Sequence, residues 1–325
     1  MRAITVPTPG DADALVPDEI DAPTIGERDV LVDVVAAGVN RADIAQRQGN
    51  YPPPPGASET LGLEVSGVVC AVGAKVSAWS VGEEVCALLS GGGYAAQVAV
   101  PAGQVLPIPD GVSVRDAAAL PEVACTVWNN LVTQAGLRSG ETLLVHGGSS
   151  GIGTMAIQLA KALDVRVIVT AGSQAKLDAC TSLGADVGIN YHEQDFVAEA
   201  LDATDGRGVD VILDVVGAKY LDRNIQTLAL EGRLVIIGMQ GGAKGELNIA
   251  RLLSKRGRIM TSGLRSRPIE EKAQIVAAVR ERIWPWVADG TILPLVHATY
   301  PLDQATAAHR AMEDSQHIGK ILLTL

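Results

Sequence analysis

The stretch that most constrains this chain is residues 143–161, LLVHGGSSGIGTMAIQLAK. An apolar run, Leu143-Leu144-Val145, leads into glycine and serine from Gly147 to Gly153, and Met155, Ile157 and Leu159 then recur among small residues. The pattern predicts a buried parallel strand, a tight turn and a helix packed on a sheet. Such a unit sets a helix N-terminus against a pyrophosphate, and its glycines let the backbone approach where a Cβ would collide. A glycine pattern alone is weak; the flanking strand and helix make it specific.

The chain has 325 residues, 47% of them apolar, which is room for about two domains with real cores. Only 3% are aromatic, so Ala, Val, Ile and Leu must fill those cores, as suits α/β layers. A net charge of −11 argues against nucleic acid or an anionic membrane as general partners, while an anionic cofactor can still be held by local cations and backbone amides. Cys70, Cys86, Cys125 and Cys180 form no C-x-x-C pair, which argues against a disulfide framework or zinc ribbon and for a reducing cytosol. There is no apolar leader at the N-terminus and no run of ~18 apolar residues, so a soluble cytoplasmic protein with no membrane partner is expected.

Residues 1–6, 29–36, 63–72, 85–89 and 94–100 read as short strands broken by frequent Pro and Gly, which suggests a barrel-like domain. The pattern changes near Pro109. Helices are predicted at 114–119, behind Ser113 as N-cap, and at 123–134. Strands at 142–146, 165–170, 187–190, 209–214, 233–237 and 258–262 then alternate with helices at 153–162, 173–183, 196–204, 220–228 and 249–255. Six strands joined by helical crossovers predict a doubly wound parallel sheet. A helix over 268–288, a segment at 294–300, a helix over 303–313 and a final strand at 320–325 close the chain, and that strand is expected to return to the first domain.

An NAD site usually carries Asp or Glu at the end of the second strand, about 20 residues beyond the glycine turn. Here that strand ends in Thr170-Ala171-Gly172-Ser173, without a carboxylate. Ser173, Lys176 and Tyr191 instead offer a hydroxyl, a cation and a phenol, a set suited to a 2′-phosphate, so NADPH is predicted over NADH. Each has an ordinary alternative: a solvated helix face for Lys176, packing for Tyr191.

Asn40-Arg41-Ala42-Asp43, the strand start Gly62-Leu63-Glu64 and VHGGSSGIG occur here in one order. With VNRADIAQRQGNYPPPPGASETLGLEVSG, AGSQAKL, LRSR at residues 264–267 and the terminal IGKILLTL, the whole chain resembles the zinc-independent quinone oxidoreductase branch of the medium-chain dehydrogenase/reductase superfamily, especially its p53-inducible type. The resemblance implies a GroES-like β-barrel domain from residues 1–121 and 266–325, a Rossmann domain with a six-stranded parallel sheet from 122–265, and a homodimer joined near the sixth strand. Zinc dehydrogenases of the superfamily carry a ligand Cys where this chain has Asn40 and a His-Glu pair where it has Leu63-Glu64. Their structural zinc needs four closely spaced cysteines in the region that holds only Cys86. No metal is therefore expected, and Glu64 reads as a buried or helix-capping carboxylate.

By the same resemblance, Asn40 and Tyr51 lie beside the nicotinamide and the substrate cleft, and Thr126 and Lys320 reach the cofactor. The motif carries over backbone contacts at Gly148, Gly151, Ile152, Gly217, Gly238, Met239 and Leu264. Tyr51 precedes four prolines that stiffen its loop, and its phenol is a candidate donor to a developing oxyanion; packing on the prolines is the alternative. Asn40 is a candidate for the chemistry or for capping a turn. Ser150, where the branch often has glycine, is a candidate for both cofactor binding and catalysis, or for capping the next helix. His146, at the end of the first Rossmann strand, reads as structural. The set implies an NADPH-dependent quinone reductase, with reduction of a conjugated alkene (an enone or enoyl group) as the alternative on the same fold. A low-turnover NADPH-binding redox sensor is the reading from another class.

Overall fold

In the computed structural model, which describes residues 1–325, the chain forms two units, Met1–Cys125 with Leu264–Leu325, and Thr126–Gly263. These divisions lie a few residues from the 121/122 and 265/266 boundaries expected from sequence.

The Thr126–Gly263 unit is built on a six-stranded, all-parallel sheet. Its strands run, edge to edge, Val187–Asn190, Arg166–Ala171, Thr142–His146, Val209–Asp214, Leu228–Ile236 and Arg258–Thr261. The central strands are apolar because both faces are covered: Leu143, Leu144, Val145, Val211, Ile212 and Leu213 are all 0% exposed. Helix Gly151–Ala162 buries Met155, Ala156, Ile157, Leu159 and Ala160. The strand order reverses between Thr142–His146 and Val209–Asp214, a switch point at whose carboxyl ends open α/β sheets bind ligands.

The helix expected over 123–134 changes character part-way. An α-helix, Pro121–Val127, passes into a π-helix, Trp128–Gln134, where the Ala135 amide reaches back five residues to Asn130 O at 3.0 Å. Asn130 supplies the physical reason. Its Nδ2 donates to Thr126 O at 2.8 Å, competing with the backbone ladder, and its Oδ1 accepts from Ser262 Oγ at 2.7 Å.

The other unit is mainly antiparallel, with strand order Val296–Pro301, Lys320–Thr324, Asp29–Val39, Glu64–Val72, Glu84–Leu88, Val105–Pro107; Gln97–Pro101 also pairs with Asp29–Val39. Alternation along Asp29–Val39 turns Val30, Val32 and Val34 into the core and leaves Asp33 exposed. The last strand returns as expected, with Leu322 opposite Gly38. The expected helix over 268–288 divides into Ile269–Arg282 and Trp284–Ala288, with Pro285, which lacks an N–H, at the second helix start.

Candidate active site

In the parallel-sheet unit the glycine turn lies flat on the second strand. A Cβ on Gly148 would stand 2.7 Å from Val169 Cβ and 3.1 Å from Cys180 Sγ, and one on Gly153 would run into the Gly147 carbonyl. Ser150 is the N-cap of helix Gly151–Ala162: its hydroxyl accepts from Gly153 N at 3.0 Å and donates to Gly147 O at 2.8 Å. That uses the hydroxyl locally, and leaves the Gly151 and Ile152 amides at the open end of a twelve-residue helix.

The second strand ends at Ala171, and the tail of that strand carries no acid. Gly172 is the floor there: a Cβ on it would meet the Tyr191 phenol oxygen at 2.6 Å and His192 Nε2 at 3.3 Å. Ser173 is the N-cap of helix Gln174–Ser182 but makes no side-chain cap bond. Lys176 follows one turn on, half-buried, with burial pulling its pKa down. Tyr191 is 44% exposed. Ser173, Lys176 and Tyr191 thus gather around one strand end.

The loops after the fourth and fifth strands close on each other. Gly217 takes φ +79, and a Cβ there would stand 2.9 Å from Gly242 O and 3.0 Å from Gly238 O. Gly241 N donates to Val216 O at 2.7 Å, and Met239 is exposed. Asp214 anchors this loop by accepting from Val216 N (2.7 Å), Gly217 N (3.1 Å) and Asn224 Nδ2 (3.0 Å), while burial lifts its carboxyl to about 6. Asn224 Oδ1 in turn lies 2.7 Å from His146 Nε2, whose Nδ1 lies 3.1 Å from Thr170 Oγ1. Asn224 spends its amide on Asp214, so His146 carries its proton on Nε2 and accepts from Thr170. His146 is 1% exposed and burial drops its pKa to about 4. It is a structural link between the glycine turn and the Gly217 loop. Thr126 is buried, its carbonyl on Asn130. Leu264 belongs to the other unit.

In that other unit, Asn40 stands at the N-cap of helix Arg41–Arg47 and is 8% exposed. Its Nδ2 donates to Glu64 Oε1 at 3.0 Å, and its Oδ1 accepts from Lys320 Nζ at 2.6 Å. Lys320 also pairs with Glu64 at 2.6 Å, and the two side chains are 5% and 0% exposed. Glu64 Oε2 accepts from Glu122 N, in the first turn of Pro121–Val127, at 2.9 Å. Glu64 is therefore both buried and helix-capping. Gly38 makes room for it, since a Cβ there would overlap the carboxylate. Lys320 is not a solvated lysine; its ammonium is held inside this cluster.

Asp43, also 0% exposed, accepts from Asn40 N (2.8 Å), Gly62 N (3.2 Å) and Tyr94 OH (3.2 Å). Burial raises its carboxyl to about 6. Tyr94 OH meets His309 Nε2 at 3.0 Å, and His309 Nδ1 meets Arg47 at 3.2 Å. Tyr51 is half-buried; burial raises its pKa against the opposing pull of Arg265. The Arg265 guanidinium lies 5.3 Å from the Tyr51 ring centre and donates to Tyr51 O at 3.2 Å. Sequence reasoning used Arg265 only as part of LRSR and missed this role. It also missed the Lys320–Glu64 pair, for which the only sequence signal was a lysine in the terminal IGK.

Known proteins share this fold. A family described as alcohol dehydrogenase GroES-like domain matches residues 26–110, and one described as zinc-binding dehydrogenase matches 151–281. Rat quinone oxidoreductase is 31% identical over 328 residues, covering 100% of this chain and 98% of that one. The chain belongs to the quinone oxidoreductase family of medium-chain dehydrogenases/reductases. A phenolphthiocerol/phthiocerol polyketide synthase from Mycobacterium tuberculosis is also 31% identical over 99% of this chain, which spans only 15% of that protein's length. Among solved structures, a mycobacterial protein complexed with NADPH superposes with a TM-score of 0.90 at 30% identity, covering 100% of both chains. The CurK enoyl reductase superposes at 0.85 with 26% identity over 99% of this chain and 98% of that one. For this family member, the flat glycine turn and the open helix end fit a pyrophosphate, and the acid-free strand end fits a 2′-phosphate.

Proposed function

We propose that this protein is an NADPH-dependent quinone reductase that works by direct hydride transfer without metal or flavin. The observation that carries the reading is the Lys320 ammonium, buried 2.6 Å from both Asn40 and Glu64, at the positions where zinc dehydrogenases carry metal ligands. A built-in cation satisfies that carboxylate. Gly148, Gly151 and Ile152 would take the pyrophosphate on backbone, and Ser173, Lys176 and Tyr191 the 2′-phosphate. Gly217, Gly238 and Met239 would line the cofactor's path along the strand ends. Reduced nicotinamide, when bound, supplies the hydride. Tyr51, whose hydroxyl has no hydrogen bond within the protein, donates to the oxygen of the acceptor as negative charge develops there. Lys320 holds Asn40 in one rotamer, with its amide oriented by a cation on one side and a carboxylate on the other.

Enone or enoyl reduction is the second reading, favoured by the likeness to CurK enoyl reductase. NADPH oxidation against a panel of quinones and a panel of alkenals decides between them. Turnover with quinones supports the proposal, and turnover with alkenals alone replaces it. Tight NADPH binding with no acceptor turned over makes the protein a redox sensor. We further propose a homodimer built on the free edge of Arg258–Thr261, beside which Ile249 and Leu253 of helix Ile249–Lys255 are 70% and 75% exposed. Sedimentation of wild type against Leu253→Glu tests it. No helix is long and apolar enough to cross a membrane.

A further inference from the structure

Four lysine or arginine side chains are buried in the unit that carries both chain termini, and only two have an acid. Arg47 pairs with Glu313 and Lys320 with Glu64, each at 2.6 Å. Arg265 and Lys272 are each 4% exposed, and neither joins an ion pair. Lys272 Nζ donates to Ser90 Oγ and, at 3.2 Å, to Arg265 O. Arg265 donates to Ser90 O at 2.8 Å, Tyr51 O at 3.2 Å and Gln46 Oε1 at 2.7 Å. Every one of these acceptors is neutral. Neither cation has a carboxylate within ion-pair distance, since Asp43 and Glu59 act on Arg265 only from farther away, and holding two adjacent cations this far out of water costs folding energy unless something else compensates it. Burial and the neighbouring guanidinium both lower the pKa of Lys272.

Both cations line one cavity of about 740 Å³ within this unit. That size suits a small-molecule site. Pro54, Pro55, Leu89, Pro268 and Ile269 supply apolar wall beside Ser90. Asp21 and Asp29 line it too, but neither pairs with the cations, and Asp29 Oδ2 accepts from Gly26 N at 3.0 Å. An apolar wall with two unpaired cations fits a ligand with an apolar body and one ionised end. Arg265 brings a planar fork matched to a carboxylate, and Lys272 a point charge.

We propose that this cavity is a binding site for a small organic acid whose carboxylate is taken by Lys272 and Arg265. The inference stands on this unit alone and does not depend on the redox reading. It is tested by calorimetry on the full chain with two matched probes, 1-naphthoate and its neutral isostere 1-naphthamide. Naphthoate should bind at least about tenfold more tightly, and Lys272→Gln should abolish the preference while leaving naphthamide binding in place. Equal affinity for the two probes, or a preference that persists in Lys272→Gln, overturns the site. If that variant does not fold, a co-crystal of wild type with naphthoate decides. The carboxylate should lie within about 3.5 Å of Lys272 Nζ or the Arg265 guanidinium, and a carboxylate seated anywhere else overturns the proposal.

Discussion

Lys320 Nζ lies 2.6 Å from Glu64 Oε1, in a site where the lysine side chain is 5% and the glutamate 0% exposed. The pair sits where the terminal strand Lys320–Thr324 joins Asp29–Val39 and that strand joins Glu64–Val72. Removing one partner leaves the other charged and buried. Lys320→Met should therefore cost about 3–5 kcal/mol of folding stability. Adding Glu64→Gln to it should recover a large part. Urea unfolding of the two singles and the double measures the coupling, and additive losses would mean the pair is not an energetic unit.

Lys176→Ala should weaken NADPH by roughly tenfold or more, the scale of one charge-assisted contact, and leave NADH nearly unchanged. Fluorescence titration with both cofactors reads the difference. Equal weakening would detach Lys176 from the 2′-phosphate.

Tyr51→Phe should slow single-turnover hydride transfer by about 10²-fold, as for other lost oxyanion donors, with NADPH affinity unchanged. Because Arg265 grips the Tyr51 backbone at 3.2 Å, the loop should keep its place without the hydroxyl. An unchanged single-turnover rate would return Tyr51 to packing.

His146 gives a pH-dependent expectation with a definite sign. Its folded pKa is about 4 against an ordinary 6.5, so the unfolded chain binds the proton first as pH falls. The stability His146 contributes is complete above about 6.5 and is lost as pH falls toward 4. The slope is at most about 1.4 kcal/mol per pH unit for one proton. Asp43 and Asp214, both raised to about 6, act in the opposite sense between 6 and 3.8, so wild type alone shows a mixture. The difference between wild type and His146→Asn, followed by urea unfolding between pH 7 and 4.5, isolates the histidine. A difference that does not shrink as pH falls would contradict the buried neutral imidazole.

Local pattern made much of this molecule legible. Three of the six predicted parallel strands have the observed bounds, because a short, mainly apolar run flanked by turn residues has few other uses: Thr142–His146, Val187–Asn190 and Val209–Asp214. The acid-free end of the second strand was equally readable, since it concerns residue types at a fixed distance from a glycine turn. The break from α to π geometry at Trp128 was not, because it depends on Asn130 meeting Ser262, 132 positions away. Nor was the second use of Asn40. Its partner Lys320 is 280 positions distant and arrives only through strand pairing.

The amino-acid sequence by itself determined the two-unit α/β architecture, the place of the dinucleotide turn and the family. The first two follow from periodicity and from glycine, proline and acid placement, which act over a few residues; the family rests on the resemblance of motifs such as VNRAD and VHGGSSGIG. Only the tertiary structure decided which charges are neutralised. It sealed Lys320 against Glu64 and Asn40, and Arg47 against Glu313, but left Arg265 and Lys272 with neutral acceptors beside a cavity. The physical reason is desolvation: the energy of a buried charge is set by whatever the fold brings within a few ångströms, and those neighbours come from opposite ends of the chain.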